Sequence, residues 1–224
     1  RDLYHLKSVS DVHVSPDARR AVQAWGMDAR GRKQYRYHAR AVDARELRKH
    51  HRVRKLATSL PGIRRTLRRR SRSATLGRDT SCAIALRLIS ESLFRPGSER
   101  YMRENRSYGM TTLRKSHLRL SQGRAVFTYQ GKSGKRQRQI VTNPDLLRLL
   151  RRLMRTPGTR LFRYRASEGW CNLDARALTS FVHAELGPFA VKDFRTWGGT
   201  LRAAIVLAEL GPGRSPTESR RNVA

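Results

Sequence analysis

The chain has 224 residues, 49 of them Lys or Arg and only 17 Asp or Glu, a formal charge of +32. Its 38% hydrophobic content supports a real core in one large or two modest domains, which excludes a disordered basic tail. A surface repelling itself this strongly calls for an anionic partner, and nucleic acid fits, since neutralising its phosphates releases condensed counterions.

No stretch is long and apolar enough for a bilayer span, and no charged-then-apolar signal opens the chain. The two cysteines, Cys82 and Cys171, are too few for a zinc site or a disulfide framework. A reducing, cytoplasmic setting is expected, with no bound metal and no membrane. The sequence starts at Arg1 rather than Met and stops after a polar run, so a fragment at both ends is expected.

In chain order, residues 9 to 38 alternate apolar and polar in short bursts, with turn signals at Ser15-Pro16 and Asp28 to Gly31, which predicts a small twisted sheet. From Asp43 to about Arg72 the chain is basic and helix-permissive, and Pro61-Gly62 predicts two helices there. The spacing of Cys82, Leu86, Ile89 and Leu93 predicts a helix over 80–94, ended by Pro96-Gly97. A short helix is expected at 98–105, then strands at 117–121, 124–130 and 136–141 forming an antiparallel sheet. Asn143-Pro144 is an N-cap followed by proline at the first helical position, with Leu146, Leu150 and Leu153 on one face. Further helices are expected at 174–186 and 191–210. The fold class is therefore α+β: a small β-rich N-terminal lobe (1–42), a basic helical segment and linker (43–76), and a mainly helical lobe with an embedded three-stranded sheet (77–224).

Several constellations carry chemistry. GRKQYRYH at 31–38 interleaves cations, aromatics and an amide, which suits phosphate contact and groove reading, or else a plain basic edge strand with Tyr35 and Tyr37 half-buried. GKSGK at 131–135 is not a nucleotide-binding loop, because the glycine that motif requires five positions earlier is Val126. Lys132 is then a flexible cation at a hairpin tip, reaching a ligand or merely solvated. Arg87 lies among Leu86, Leu88 and Ile89, and a charge beside a core wants an anion, unless Glu91 one turn on is its partner. Arg195, in KDFRTWGGT at 192–200, falls at an expected helix start that Asp193 can cap, where an anion is favoured; a surface arginine stacked on Trp197 is the plain alternative.

The order of Arg87, YGMTTLRKSHL at 108–118, Lys132 and Lys192-Asp193-Phe194-Arg195 resembles the type IB DNA topoisomerases of the bacterial and poxvirus kind. GMDARGRKQYRYH at 26–38 is similar to that family's DNA-binding strand. The resemblance implies that Arg87 and Arg195 hold the scissile phosphate and that Lys132 is the general acid to the departing 5′ oxygen. It implies DNA contacts from Lys33, Gln34, Tyr35, Tyr37, Lys115 and Lys192. The implied reaction relaxes supercoiled duplex DNA through a transient 3′-phosphotyrosine, without ATP, metal or any other cofactor, in a nucleoid-associated monomer of bacterial type.

Two departures accompany it. The family's nucleophilic tyrosine and preceding histidine follow the second arginine, whereas the last tyrosine here is Tyr164 and the last histidine His183. The chain is therefore expected to bind duplex DNA but to stop short of its nucleophile, with ESRRNVA at 218–224 as the start of the segment that would carry it. Ser133 stands where viral relatives often carry Asp. A tyrosine recombinase shares the expected core but usually has His-x-x-Arg where this chain has Lys192-x-x-Arg195. A non-catalytic basic binder accounts for the charge but not for the ordered motifs.

Overall fold

The computed structural model describes residues 9–29 and 31–223, so the rest of the expected N-terminal lobe, residues 1–8 and Arg30, lies outside the described residues. The chain divides into two units, Arg1–Arg54 and Lys55–Ala224, and the division falls within helix α1 (Ala39–Ser71).

The first unit is built on an antiparallel sheet in the order β1 (Val9–Val14), β2 (Val22–Asp28), β3 (Lys33–Tyr37). The β2–β3 turn closes with the Asp28 N–H donating to the Arg32 carbonyl at 3.0 Å. Register places His13 opposite Trp25 and Trp25 opposite Tyr35, so these side chains form one row across the sheet. The His13 and Trp25 rings stack at 4.0 Å, and Lys33 Nζ lies 3.9 Å from the Trp25 ring centroid.

Helix α1 corrects the expectation of two helices: it runs unbroken for 33 residues with Pro61 inside it. Proline removes one backbone hydrogen bond and crowds the carbonyl four residues earlier. Both Pro61 and Ala57 are exposed, so water can serve the freed carbonyl. Meanwhile Leu56, Leu60, Ile63, Leu67 and Ser71 keep one continuous buried stripe at three-and-four spacing.

The second unit is organised around α2 (Arg78–Ser92), whose residues 80–89 are all buried. Around it pack α4 (Pro144–Met154), α5 (Ala175–Glu185) and the first half of α6 (Val191–Leu210), with α3 (Glu99–Asn105) and α7 (Pro216–Val223) nearer the surface. The embedded sheet has the expected order β4 (Leu118–Ser121), β5 (Arg124–Gln130), β6 (Arg136–Val141). The Asn143 side chain accepts from the N–H groups of Asp145 and Leu146, the cap read from sequence. A further hairpin, β7 (Arg163–Ala166) and β8 (Gly169–Asn172), is absent from the sequence expectation. It docks on α2 by a 2.6 Å hydrogen bond from Ser81 Oγ to the Arg163 carbonyl. No described helix is long and apolar enough to cross a membrane.

Candidate functional site

Helix α2 ends at Leu93, which turns the chain out of the helix in the left-handed region (φ 59°). The next segment, Arg95-Pro96-Gly97, is clamped to the YGMTTL turn. Met110 N–H donates to the Arg95 carbonyl at 2.8 Å, and Thr111 N–H to the Pro96 carbonyl at 2.9 Å. A Cβ on Gly109 would fall 2.6 Å from Gly97 Cα and 2.8 Å from the Arg95 carbonyl oxygen, so only glycine permits this contact. The turn motif thus fixes the backbone from which the Arg95 side chain leaves.

Helix α6 approaches the same place. Gly198 lies against Leu93, a Cβ there meeting Leu93 Cδ2 at 2.5 Å, and Arg195 Nε donates to the Leu93 carbonyl at 2.9 Å. Burial holds the Arg195 guanidinium below its ordinary pKa, and the charge of Arg95 adds to the effect. A partly desolvated cation beside a like charge is the state an anion relieves. The hairpin between β5 and β6 closes the third side. Its strut is Tyr129, whose hydroxyl donates to Gln139 Oε1 at 2.8 Å, while Gln139 Nε2 donates to the Ser92 carbonyl at 3.5 Å. Burial pushes the Tyr129 phenol up to about 12 against smaller opposing effects from Gln139 and the two arginines.

Together these elements line a cleft of about 230 Å³ whose wall includes Arg95, Arg195, Arg202, Tyr108, Tyr129, Gly131, Gln137 and Gln139. No carboxylate of a described residue lines it. The side chains of Arg95 and Arg202, and the terminal nitrogens of Arg195, take no protein partner among the described residues. Lys132 follows Gly131 at the tip of the hairpin, exposed, in a 3₁₀ turn where Ser133 adopts φ 61°. The arrangement can hold a tetrahedral anion between neighbouring cations, with the exposed Lys132 next in the chain to the lining residue Gly131.

Arg87 is not brought to this cleft. Its side chain is 4% exposed and donates to Ser71 Oγ at 3.2 Å, with Glu91 at 3.5 Å and Asp145 at 3.9 Å. It ties α2 to the end of α1 and the start of α4. Arg95, not Arg87, lines the cleft with Arg195. The available signal was a lone cation between a helix end and Pro-Gly, on a loop held by a rigid scaffold.

The remaining predicted contacts are dispersed. Tyr35 and Tyr37 are exposed with rings 6.0 Å apart, and Gln34 Nε2 donates to Asp28 Oδ2 at 2.9 Å. Lys192 is exposed on the first turn of α6. Lys115 is turned inward: its ammonium donates to the Thr156 carbonyl, and burial, then the charge of Arg163, lowers its pKa. Among the described residues no group of three or more His, Cys, Asp or Glu side chains is placed to hold a metal ion.

Residues 33–224 match the family described as eukaryotic DNA topoisomerase I, catalytic core. The chain is 31% identical over 218 residues, 95% of its length, to the DNA topoisomerase 1B of Acanthamoeba polyphaga mimivirus, and spans 64% of that protein. Among solved structures it is similar to the XerH site-specific recombinase bound to difH substrate, with 12% identity and a TM-score of 0.42, over 72% of this chain and 48% of that one.

Proposed function

Because the chain belongs to the type IB DNA topoisomerase family, we propose that it binds duplex DNA and that its arginine cleft grips the backbone phosphate at which strand transesterification occurs. The observation that carries this is the meeting of Arg95 and Arg195 in a cleft that no described carboxylate lines. In the reaction a tyrosine oxygen attacks phosphorus and its proton passes to solvent. The bond to the 5′ oxygen breaks, and a proton from Lys132 lets it leave as a free 5′-hydroxyl. The strand end stays as a 3′-phosphotyrosine until the 5′-hydroxyl reverses the exchange, so supercoils relax with the diester energy conserved and no nucleotide consumed.

Arg95 and Arg195 act on the non-bridging oxygens, where negative charge grows in the transition state. Arg195 is oriented by its bond to Leu93 and Arg95 by the clamp on its backbone, so neither waits on large rearrangement. Lys132, on a short exposed turn beside Gly131, has the freedom to follow a leaving oxygen. Lys192 supports the same backbone, and Lys33, Gln34, Tyr35 and Tyr37 contact the duplex from the first unit. Arg87 is a positioning residue for α2.

Tyr108 and Tyr129 line the cleft but are not nucleophiles in this reading. Tyr129 is 6% exposed, its hydroxyl is engaged by Gln139, and burial opposes its ionisation. No tyrosine follows Arg195 in the chain. These 224 residues therefore bind duplex DNA, with affinity falling steeply as salt rises, and leave supercoiled plasmid unrelaxed. Fluorescence anisotropy on a duplex across a salt series, beside a plasmid assay in EDTA without ATP, checks both. Salt-insensitive binding overturns the first statement; relaxed plasmid overturns the second.

A further inference from the structure

We propose that Arg202 makes the cleft a site for two consecutive phosphates of one strand, holding the neighbour of the phosphate that Arg95 and Arg195 grip; this rests on the reading of the cleft given above. Arg195, Gly198 and Arg202 are spaced three and four residues apart on α6, so they share one face of the helix. Gly198 is where that face meets the end of α2, with a Cβ there 3.3 Å from the Ser90 carbonyl oxygen as well as against Leu93. The two arginines therefore straddle the contact point, and both line the cleft whose wall also includes Leu93.

Their roles differ in what already holds them. Arg195 is half-buried and spends its Nε on Leu93, which fixes one direction for its remaining donors. Arg202 is exposed and has no hydrogen bond or ion pair among the described residues. From residue 201 to residue 210 α6 is exposed and, apart from Arg202 and Glu209, apolar. A lone arginine in such a stretch, on the face that meets the phosphate cleft, is placed for an anion.

Spacing fits the neighbouring phosphate better than the same one. Seven residues of helix rise about 10.5 Å. Side chains on a helix all lean toward its N-terminus, so that offset is kept between the two side chains and the guanidinium groups are spread along the helix rather than superposed on one phosphate. A planar guanidinium with paired donors matches a second phosphate, and its charge is permanent.

The test compares the chain with its Arg202→Ala, Arg202→Lys and Arg195→Ala variants, using duplex DNA in a salt series and inorganic orthophosphate as a one-phosphate probe followed by NMR shifts of the Arg195 Nε–H. Arg202→Ala should flatten the slope of log affinity against log salt by about 0.9, so that its deficit against the parent shrinks about 3.5-fold between 50 and 200 mM salt. Arg202→Lys, which keeps the charge, should retain the parent slope. Orthophosphate affinity should be unchanged within twofold in Arg202→Ala. An unaltered duplex slope in Arg202→Ala, with a flattened one in Arg195→Ala, overturns the role of Arg202 alone. Loss of orthophosphate binding in Arg202→Ala shows three arginines on one phosphate and overturns the two-phosphate assignment. Unaltered slopes in both variants sink the cleft reading itself. Arg202 is exposed and unpaired, so circular dichroism of the variant should match the parent, and a changed spectrum counts against the proposal's premise that the residue serves only a ligand.

Discussion

Replacing Arg87 and Arg95 separately by alanine separates a cation that holds the fold from one that holds the ligand. The Arg87 side chain is 4% exposed and bridges Ser71, Glu91 and Asp145 across α1, α2 and α4. Its loss removes a charged hydrogen bond, leaves a cavity where the aliphatic stem packed, and strips Glu91 of its buried cation. Asp145 is spared the full penalty, because Arg72 remains at 2.8 Å and Arg148 also pairs with it. The expected cost is about 2–4 kcal/mol, from charged hydrogen bonds and partly broken ion pairs. In a chain of this size that is a fall in melting temperature of roughly 5–12 °C. Arg95 is exposed and unpaired among the described residues, so Arg95→Ala should melt with the parent. It should weaken duplex binding about 10- to 100-fold, the worth of a charge-assisted bond to phosphate, and flatten the salt slope by about 0.9. Thermal melts by circular dichroism and anisotropy titrations read the two effects independently. An Arg87→Ala protein that melts like the parent but loses DNA, paired with an Arg95→Ala protein that binds normally, would refute the reasoning.

Three more perturbations follow the same geometry. Gly109→Ala places a methyl group against Gly97 and the Arg95 carbonyl, so it should destabilise the second unit by about 1–3 kcal/mol and weaken DNA binding by displacing Arg95, read by the same melts and titrations. Burial raises the Tyr129 phenol to about 12, so the folded state keeps a proton that the unfolded chain loses above its ordinary value near 10. That contribution is complete below the unfolded pKa and is lost as pH climbs from about 10 to 12, by roughly 2–3 kcal/mol. Tyr129→Phe should remove this part of the alkaline slope in urea melts at pH 9 to 12, and an unchanged slope would contradict it. The Cys82 thiol is buried and pushed up to about 12 while Cys171 is half-buried, so a thiol-reactive chromophore should label one cysteine in the native chain and two in denaturant.

Which parts of this arrangement were legible in the sequence follows from how far each depends on neighbours along the chain. The Asn143 cap and the β4–β6 sheet are set by local periodicity and punctuation, and the structure keeps them; α2 forms where its spacing predicts it but runs 78–92 rather than 80–94. Helix α1 departs from the two helices expected because Pro61 is a local stop signal, while the stripe from Leu56 to Ser71 that overrides it is satisfied only by tertiary packing. Strands β7 and β8 have four residues each, too few for alternation to show, and they are fixed by α2 rather than by their own pattern.

Arg87 and Arg95 show the same limit at the site. A charge amid apolar neighbours wants a partner, which Arg87 has; only the fold shows that the partners are Ser71, Glu91 and Asp145 rather than a ligand. In the sequence, Pro96-Gly97 marks only a helix stop and says nothing of Arg95, the cation before it. What gives it a role is a contact between residues twelve apart, Gly97 on Gly109, that no helical or strand period encodes. The order of motifs along the chain is equally satisfied by either arginine, so order could point to the family without choosing the residue. Choosing it takes the geometric criterion that a phosphate imposes, two cations on one cavity with no acid in its wall, and of the two candidates Arg95 alone meets that criterion beside Arg195.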